Sequence, residues 1–129
     1  MSFLRGLFGT KKEKEPEKVV PWQLLTSEEQ LDEIAADSSG DLIAVFKHSI
    51  RCGISSMILR RFEREYDLEL GDVKLYIVDI LNHRHISDEV MKRFQVWHES
   101  PQLILLRNGK TLAHFSHHQV QADILKAYA

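Results

Sequence analysis

The chain has 129 residues, a formal net charge of -2 and 43% hydrophobic residues, which suits one small α/β domain with a single core. Near-neutral charge gives no electrostatic reason to expect a nucleic-acid partner. The single cysteine, Cys52, argues against a disulfide-stapled secreted framework and fits a reducing, cytoplasmic setting. No apolar run approaches the roughly eighteen residues that a membrane-spanning helix needs.

Residues 1–18 read as a flexible or disordered tail outside the folded domain, which takes residues 19–129. Its first part, MSFLRGLFG, sets Phe3, Leu4, Leu7 and Phe8 around Arg5. That composition allows weak interfacial contact with a membrane, but it is too short and glycine-broken for a signal peptide. Thr10 to Lys18 mixes charges around one proline and makes a linker. Val19, Val20, Trp22 and Leu24 then suggest a short strand that Pro21 confines to an edge.

Thr26 with Glu29 forms a capping-box pattern for a first helix, whose buried stripe is Leu31, Ile34 and Ala35. Ser38 to Asp41 end it. Leu42 to Lys47, LIAVFK, opens with five apolar residues in a row and predicts a central strand covered on both faces. A helix from Cys52 or Gly53 to Tyr66 follows, with Ile54, Ile58, Phe62 and Tyr66 at four-residue spacing. Val73 to Asp79 is a second core strand. Ser87 is positioned to cap a third helix through Val90, Met91 and Phe94. Leu103 to Leu106 and Leu112 to Phe115 form a hairpin around Asn108-Gly109, a type I′ signal. Val120 to Tyr128 closes the chain as a helix. Alternating strands and helices imply parallel pairing in the first half, and the hairpin makes the central sheet mixed.

Cys52 carries the chemistry. A thiol that opens a helix faces unpaired backbone N–H groups, which favour the thiolate. It also stands after a core strand, at the strand ends where sites of open α/β sheets collect. Arg51 adds a neighbouring positive charge. Ser55 is one helical turn on and could donate a hydrogen bond to the sulfur, but a hydroxyl cannot resolve a mixed disulfide. Pro101, after Ser100 and before a core strand, is a natural cis candidate. His98 and Glu99 immediately precede it and could lie beside the thiol to bind a charged partner. The pairs His83/His85, read as loop residues, and His117/His118 lack acid or thiol ligands at standard spacing, so no metal is expected. No organic cofactor is expected either. The bland alternative for Cys52 is an inert buried thiol, but its polar or small flanks, Ser49, Arg51 and Gly53, argue against that.

The element order, the helix-opening cysteine and the later Ser-Pro before a strand together resemble the thioredoxin fold. More closely, FKHSIRCGISSMILRRFE (Phe46 to Glu63), HESPQLILLRNGK (His98 to Lys110) and Phe115-Ser116-His117 resemble the YtxJ family of monothiol bacilliredoxins. The resemblance implies that Cys52 is the redox centre. It implies a cis Pro101, with Ser100 offering backbone groups to an extended thiol substrate. The implied activity is removal of the low-molecular-weight thiol bacillithiol, as co-substrate, from S-thiolated proteins, with another thiol or redoxin regenerating Cys52. Gly53 departs from the proline that the family often carries there, which changes local backbone stiffness. Two other readings remain open: a non-catalytic protein-binding module, and a stress-response protein whose cysteine only takes a protective cap.

Overall fold

The computed structural model describes residues 18–129; the tail and linker expected before Lys18 lie outside the described residues. The strands are β1 (Trp22–Leu24), β2 (Leu42–His48), β3 (Val73–Asp79), β4 (Gln102–Arg107) and β5 (Lys110–Ser116). The helices are α1 (Glu28–Ala36), α2 (Gly53–Glu65), α3 (Arg84–Phe94) and α4 (Ile124–Tyr128), with a 3-10 turn at His117–Gln119. The five strands form one sheet in the order β1-β3-β2-β4-β5. Pairing is parallel for β1 with β3 and β3 with β2, and antiparallel for β2 with β4 and β4 with β5. The sheet is therefore mixed, as expected, and β1 with its preceding Pro21 lies at an edge.

β2 runs through the centre, and all seven of its residues are buried. Its side chains alternate between two cores. Leu42, Ala44 and Phe46 join Ile58 and Phe62 of α2 and Leu125 of α4. Ile43 and Val45 join Leu31 and Ile34 of α1 and Val90 and Phe94 of α3. An aromatic cluster ties the sheet to α2: the rings of Trp22, Phe46 and Phe62 stand 5.6–5.8 Å apart. Trp22 Nε1 also donates to Glu63 Oε2 at 2.8 Å.

Local chemistry shifts several expected boundaries. α1 is capped by Ser27 rather than Thr26, and its reciprocal partner is Gln30: Gln30 N–H donates to Ser27 Oγ, and Gln30 Oε1 accepts from Ser27 N–H. α3 begins three residues before the expected Ser87 cap. His83 is its N-cap, His85 is helical rather than in a loop, and Ser87 is buried inside the helix. The closing helix is shorter than its apolar pattern suggested: it spans only Ile124–Tyr128 and follows a separate 3-10 turn at His117–Gln119, where Ser116 and Gln119 form a capping box. Asn108 and Gly109 both adopt positive φ, 52° and 77°, the backbone that a type I′ turn requires.

Candidate functional site

Cys52 sits where β2 hands over to α2. A turn closed by Cys52 N–H donating to Ser49 O at 3.2 Å brings the chain round from the strand end. Cys52 is then the N-cap of α2, in extended backbone at φ -103° and ψ 119°, and its carbonyl accepts the Ser56 N–H at 3.0 Å. Its side chain makes no capping hydrogen bond, so the thiol is not used to finish the helix. The residue is half-buried and free. Gly53 is the first helical residue, and a Cβ added there would meet nothing within 4 Å. Neither space nor a positive φ requires glycine at that position.

Ser55 does not serve the sulfur as its spacing suggested. Its Oγ accepts the Ser49 N–H at 3.1 Å and shares a 2.7 Å hydrogen bond with His48 Nδ1. Burial lowers the His48 pKa, with Asp79 and Glu63 opposing. The ring is neutral at neutral pH, and the tautomer assigned from these contacts has Nδ1 accepting the Ser55 proton. Ser55 is fully buried and bolts the Ser49–Cys52 turn onto the end of β2. Sequence reasoning passed over His48 because it reads as the polar stop after LIAVFK, yet it is the seventh residue of the strand.

The register fixes what flanks this strand end. β2 pairs Lys47 with Gln102, so the next step sets His48 beside Pro101. The Ser100-Pro101 peptide is cis, and Pro101 is buried with its carbonyl accepting His117 N–H at 2.9 Å. Ser100 Oγ is buried without a hydrogen-bond partner among the described residues. On the other side, β3 pairs Asp79 with His48. That flank carries a cavity of about 300 Å³ whose lining includes His48, Ile50, Asp79 and His83. Asp79 is ionised there: hydrogen bonds from Asn82 and Leu81 hold its carboxyl below the usual range against the opposing effect of burial.

The β4 flank is basic. Lys47 is fully buried, and its Nζ lies 3.2 Å from His98 Nδ1. Burial pushes the Lys47 ammonium down to about 8, with Asp88 opposing. His98 is also lowered, by desolvation first and then by Lys47 and Arg84, with Asp88 and Glu99 opposing. His98 thus stands at the Pro101 side of the site, paired with a lysine that the sequence reading left unmarked. The signal was present: a lysine that closes a run read as covered on both faces has to be buried.

Arg51 is exposed and makes no hydrogen bond or ion pair among the described residues. Ile50, Ile54 and Met57, on either side of Cys52 in the chain, are about half exposed. Ile54 therefore departs from the buried stripe, which begins at Ile58. The other histidines disperse: His85 Nε2 faces Glu28, and His117 Nε2 lies 3.4 Å from Glu99.

The family model for monothiol bacilliredoxin BrxC matches residues 23–125. The chain belongs to that family. In this bacilliredoxin the match spans the cysteine, the Ser55 contacts and the Ser100-Pro101 segment alike. A solved structure described as a candidate oxidoreductase with a thioredoxin fold is 26% identical, with a TM-score of 0.69 over 83% of this chain and 92% of that one. Thioredoxin of Malassezia sympodialis (Mala s 13) is 20% identical, with a TM-score of 0.64 over 90% and 92%. Thioredoxin of Fasciola hepatica is 18% identical, with a TM-score of 0.64 over 82% and 95%. The fold is the thioredoxin fold, and family and fold together assign a thiol–disulfide redox function to the bacilliredoxin.

Proposed function

We propose that this bacilliredoxin removes a low-molecular-weight thiol, bacillithiol, from S-thiolated proteins by monothiol exchange at Cys52. The observation that carries this reading is the fate of position 55. A resolving thiol would have to stand one turn after Cys52; a serine stands there, and both of its contacts point back to Ser49 and His48. The Cys52 thiolate attacks the sulfur of the small thiol in the protein mixed disulfide. One S–S bond breaks and another forms, and the protein thiolate leaves with the electron pair. Cys52 now carries the cap. A second thiolate, from a small thiol in solution or another redoxin, attacks the cap sulfur and Cys52 leaves as thiolate. The exposed apolar residues Ile50, Ile54 and Met57 offer contact area for the protein substrate.

The test is turnover. An S-bacillithiolated protein should regain its free thiol in the presence of this chain and a regenerating thiol, and Cys52→Ser should abolish the acceleration. Equal rates with wild type and Cys52→Ser would exclude exchange at Cys52. Release of one substrate thiol per capped Cys52, with no further turnover in the presence of the regenerating thiol, would instead indicate a protein whose cysteine is only protected.

A further inference from the structure

The cavity on the β3 flank adjoins the Cys52 turn, yet the exchange chemistry makes no use of it. Its volume of about 300 Å³ lies at the small end of ligand cavities, about 300–1,000 Å³, and suits one or two large side chains. Its walls are the ends of three strands already tied together. Leu25 N–H donates to Ile77 O at 2.8 Å, Ile80 N–H to His48 O at 3.0 Å and His83 N–H to Asp79 O at 2.9 Å. Among the lining residues Leu25 is buried and Ile77 half-buried, whereas Leu24 and Ile50 are 68% and 56% exposed. An apolar interior under an apolar, exposed rim gains free energy when another apolar side chain displaces its water. Two observations say which. First, Ile50 stands inside the turn that Cys52 N–H closes onto Ser49 O at 3.2 Å. Two residues of chain separate Ile50 from Cys52 by at most about 7 Å, and an extended substrate segment covers that distance in two residues. A substrate whose cysteine meets Cys52 can therefore bring a side chain two residues away to Ile50. Second, apart from two histidines, Asp79 is the only ionisable residue in the lining. Its Oδ1 accepts Leu81 N–H at 3.0 Å and Asn82 N–H at 3.3 Å, and its Oδ2 accepts from Asn82 Nδ2 at 2.6 Å. No cation pairs with this carboxylate among the described residues, so a positive group on a partner would find it free of competition.

We propose that this cavity is a specificity pocket for the S-thiolated protein, taking a large apolar side chain two residues from the substrate cysteine, with Asp79 favouring a lysine or arginine beside that side chain. The inference rests on the exchange reading and adds which protein segments the site selects. His48 joins the pocket to the frame that holds the thiol. Its ring lines the cavity, and its Nδ1 shares the 2.7 Å hydrogen bond with Ser55 Oγ, one turn after Cys52. Leu24 and Ile50 supply the apolar rim from two different strand ends, β1 and β2, so the entering side chain is gripped from both sides.

Heptapeptides with a central cysteine, disulfide-linked to neutral 2-mercaptoethanol, test this with the cap held constant. In the reference peptide, glycines flank the cysteine, then leucines, then lysines, so that either chain direction presents the same side chains. One comparison peptide replaces the leucines by alanine, and another replaces the lysines by glutamate. The Cys52 thiolate attacks the cap sulfur, a mixed disulfide forms, and the peptide leaves as a thiolate. Single-turnover release of free peptide is read by mass and normalised to attack by free 2-mercaptoethanol on the same disulfides. Wild type should favour leucine over alanine by roughly tenfold. It should favour lysine over glutamate by about threefold at low ionic strength, and high salt should remove that second preference. The leucine preference should fall in Leu24→Ser and in Ile50→Ser, which alter exposed side chains. The lysine preference should fall in Asp79→Asn and also in Leu24→Lys, which places a competing charge at the rim. Equal normalised rates for the leucine and alanine peptides on wild type would overturn the pocket and leave the exchange reading standing. A leucine preference untouched by both serine variants would also overturn it, by moving the apolar contact to Ile54 and Met57. So would a tenfold gain from a butanethiol cap on the alanine peptide that both serine variants abolish, because the cavity would then belong to the cap. Failure of Cys52 to release any peptide would overturn both readings.

Discussion

Lys47 couples the site to pH. Its folded pKa of about 8 lies below the ordinary lysine value of 10.5, so between those values the native state binds fewer protons than the unfolded chain. Stability against unfolding should therefore rise as pH climbs from 8 toward 10.5, and the full penalty should be present below 8. The penalty is on the order of 3 kcal/mol. Lys47→Met should be more stable than wild type near pH 7 and should lack the alkaline gain; urea denaturation of both proteins at pH 7 and pH 9.5 checks this. A gain that persists in the variant would assign it to another group. Ser55 sits at the opposite extreme, buried with its hydrogen bonds made. Ser55→Ala strands the Ser49 N–H and the His48 ring, so it should cost about 1–3 kcal/mol in the same measurement while Cys52 can still be capped. At Gly53 the backbone already suits proline. It is the first helical position, no Cβ clash exists, and Cys52 before it is extended. Gly53→Pro should therefore stabilise by about 0.4–1 kcal/mol through the unfolded chain.

At the scale of elements, the two glycines that look alike in sequence differ in structure. Gly109 has φ 77°, and an added Cβ would stand 2.3 Å from the Ala35 carbonyl oxygen at the end of α1. Gly109→Ala should lose more than about 1 kcal/mol and broaden hairpin amide signals, whereas Gly53→Ala should not. The Asn-Gly pair announced this turn because few other dipeptides accept two positive φ values. Strands were legible for a similar reason: LIAVFK and VKLYIVD carry their burial in composition, and β3 matches its expected span, Val73–Asp79. Helix starts were not. Thr26 and Ser27 are both competent caps with a box partner three residues on, Glu29 and Gln30, and in the structure it is Ser27 that closes the box with Gln30. Ser87 looked like a cap, but the buried side of α3 extends back to Ile86, and the helix begins before it.

For the whole molecule, topology explains why the site is only half visible in sequence. Cys52, Ser100 and Pro101 could be picked out because a strand, a helix start and a Ser-Pro each leave a local mark. The contacts that join them depend on register. The β2–β4 pairing brings Pro101 to His48, and the neighbouring β2 side chains Lys47 and His48 point to opposite cores. One residue thus reaches His98 and the other Ser55, a division that no spacing along the chain reveals. The result is a thiol at the end of the central strand with a basic flank on the β4 side and a mainly apolar cavity holding Asp79 on the β3 side. Among the described residues no helix is long and apolar enough to cross a membrane. The central claim is that one sulfur does the exchange and another molecule must clear it. Intact mass of this chain during reaction with an S-bacillithiolated protein tests it most directly. The account predicts a single adduct of one bacillithiol, located on Cys52, that persists until a second thiol is added and then disappears. An unmodified chain throughout, or an adduct that disappears with no second thiol present, would contradict it.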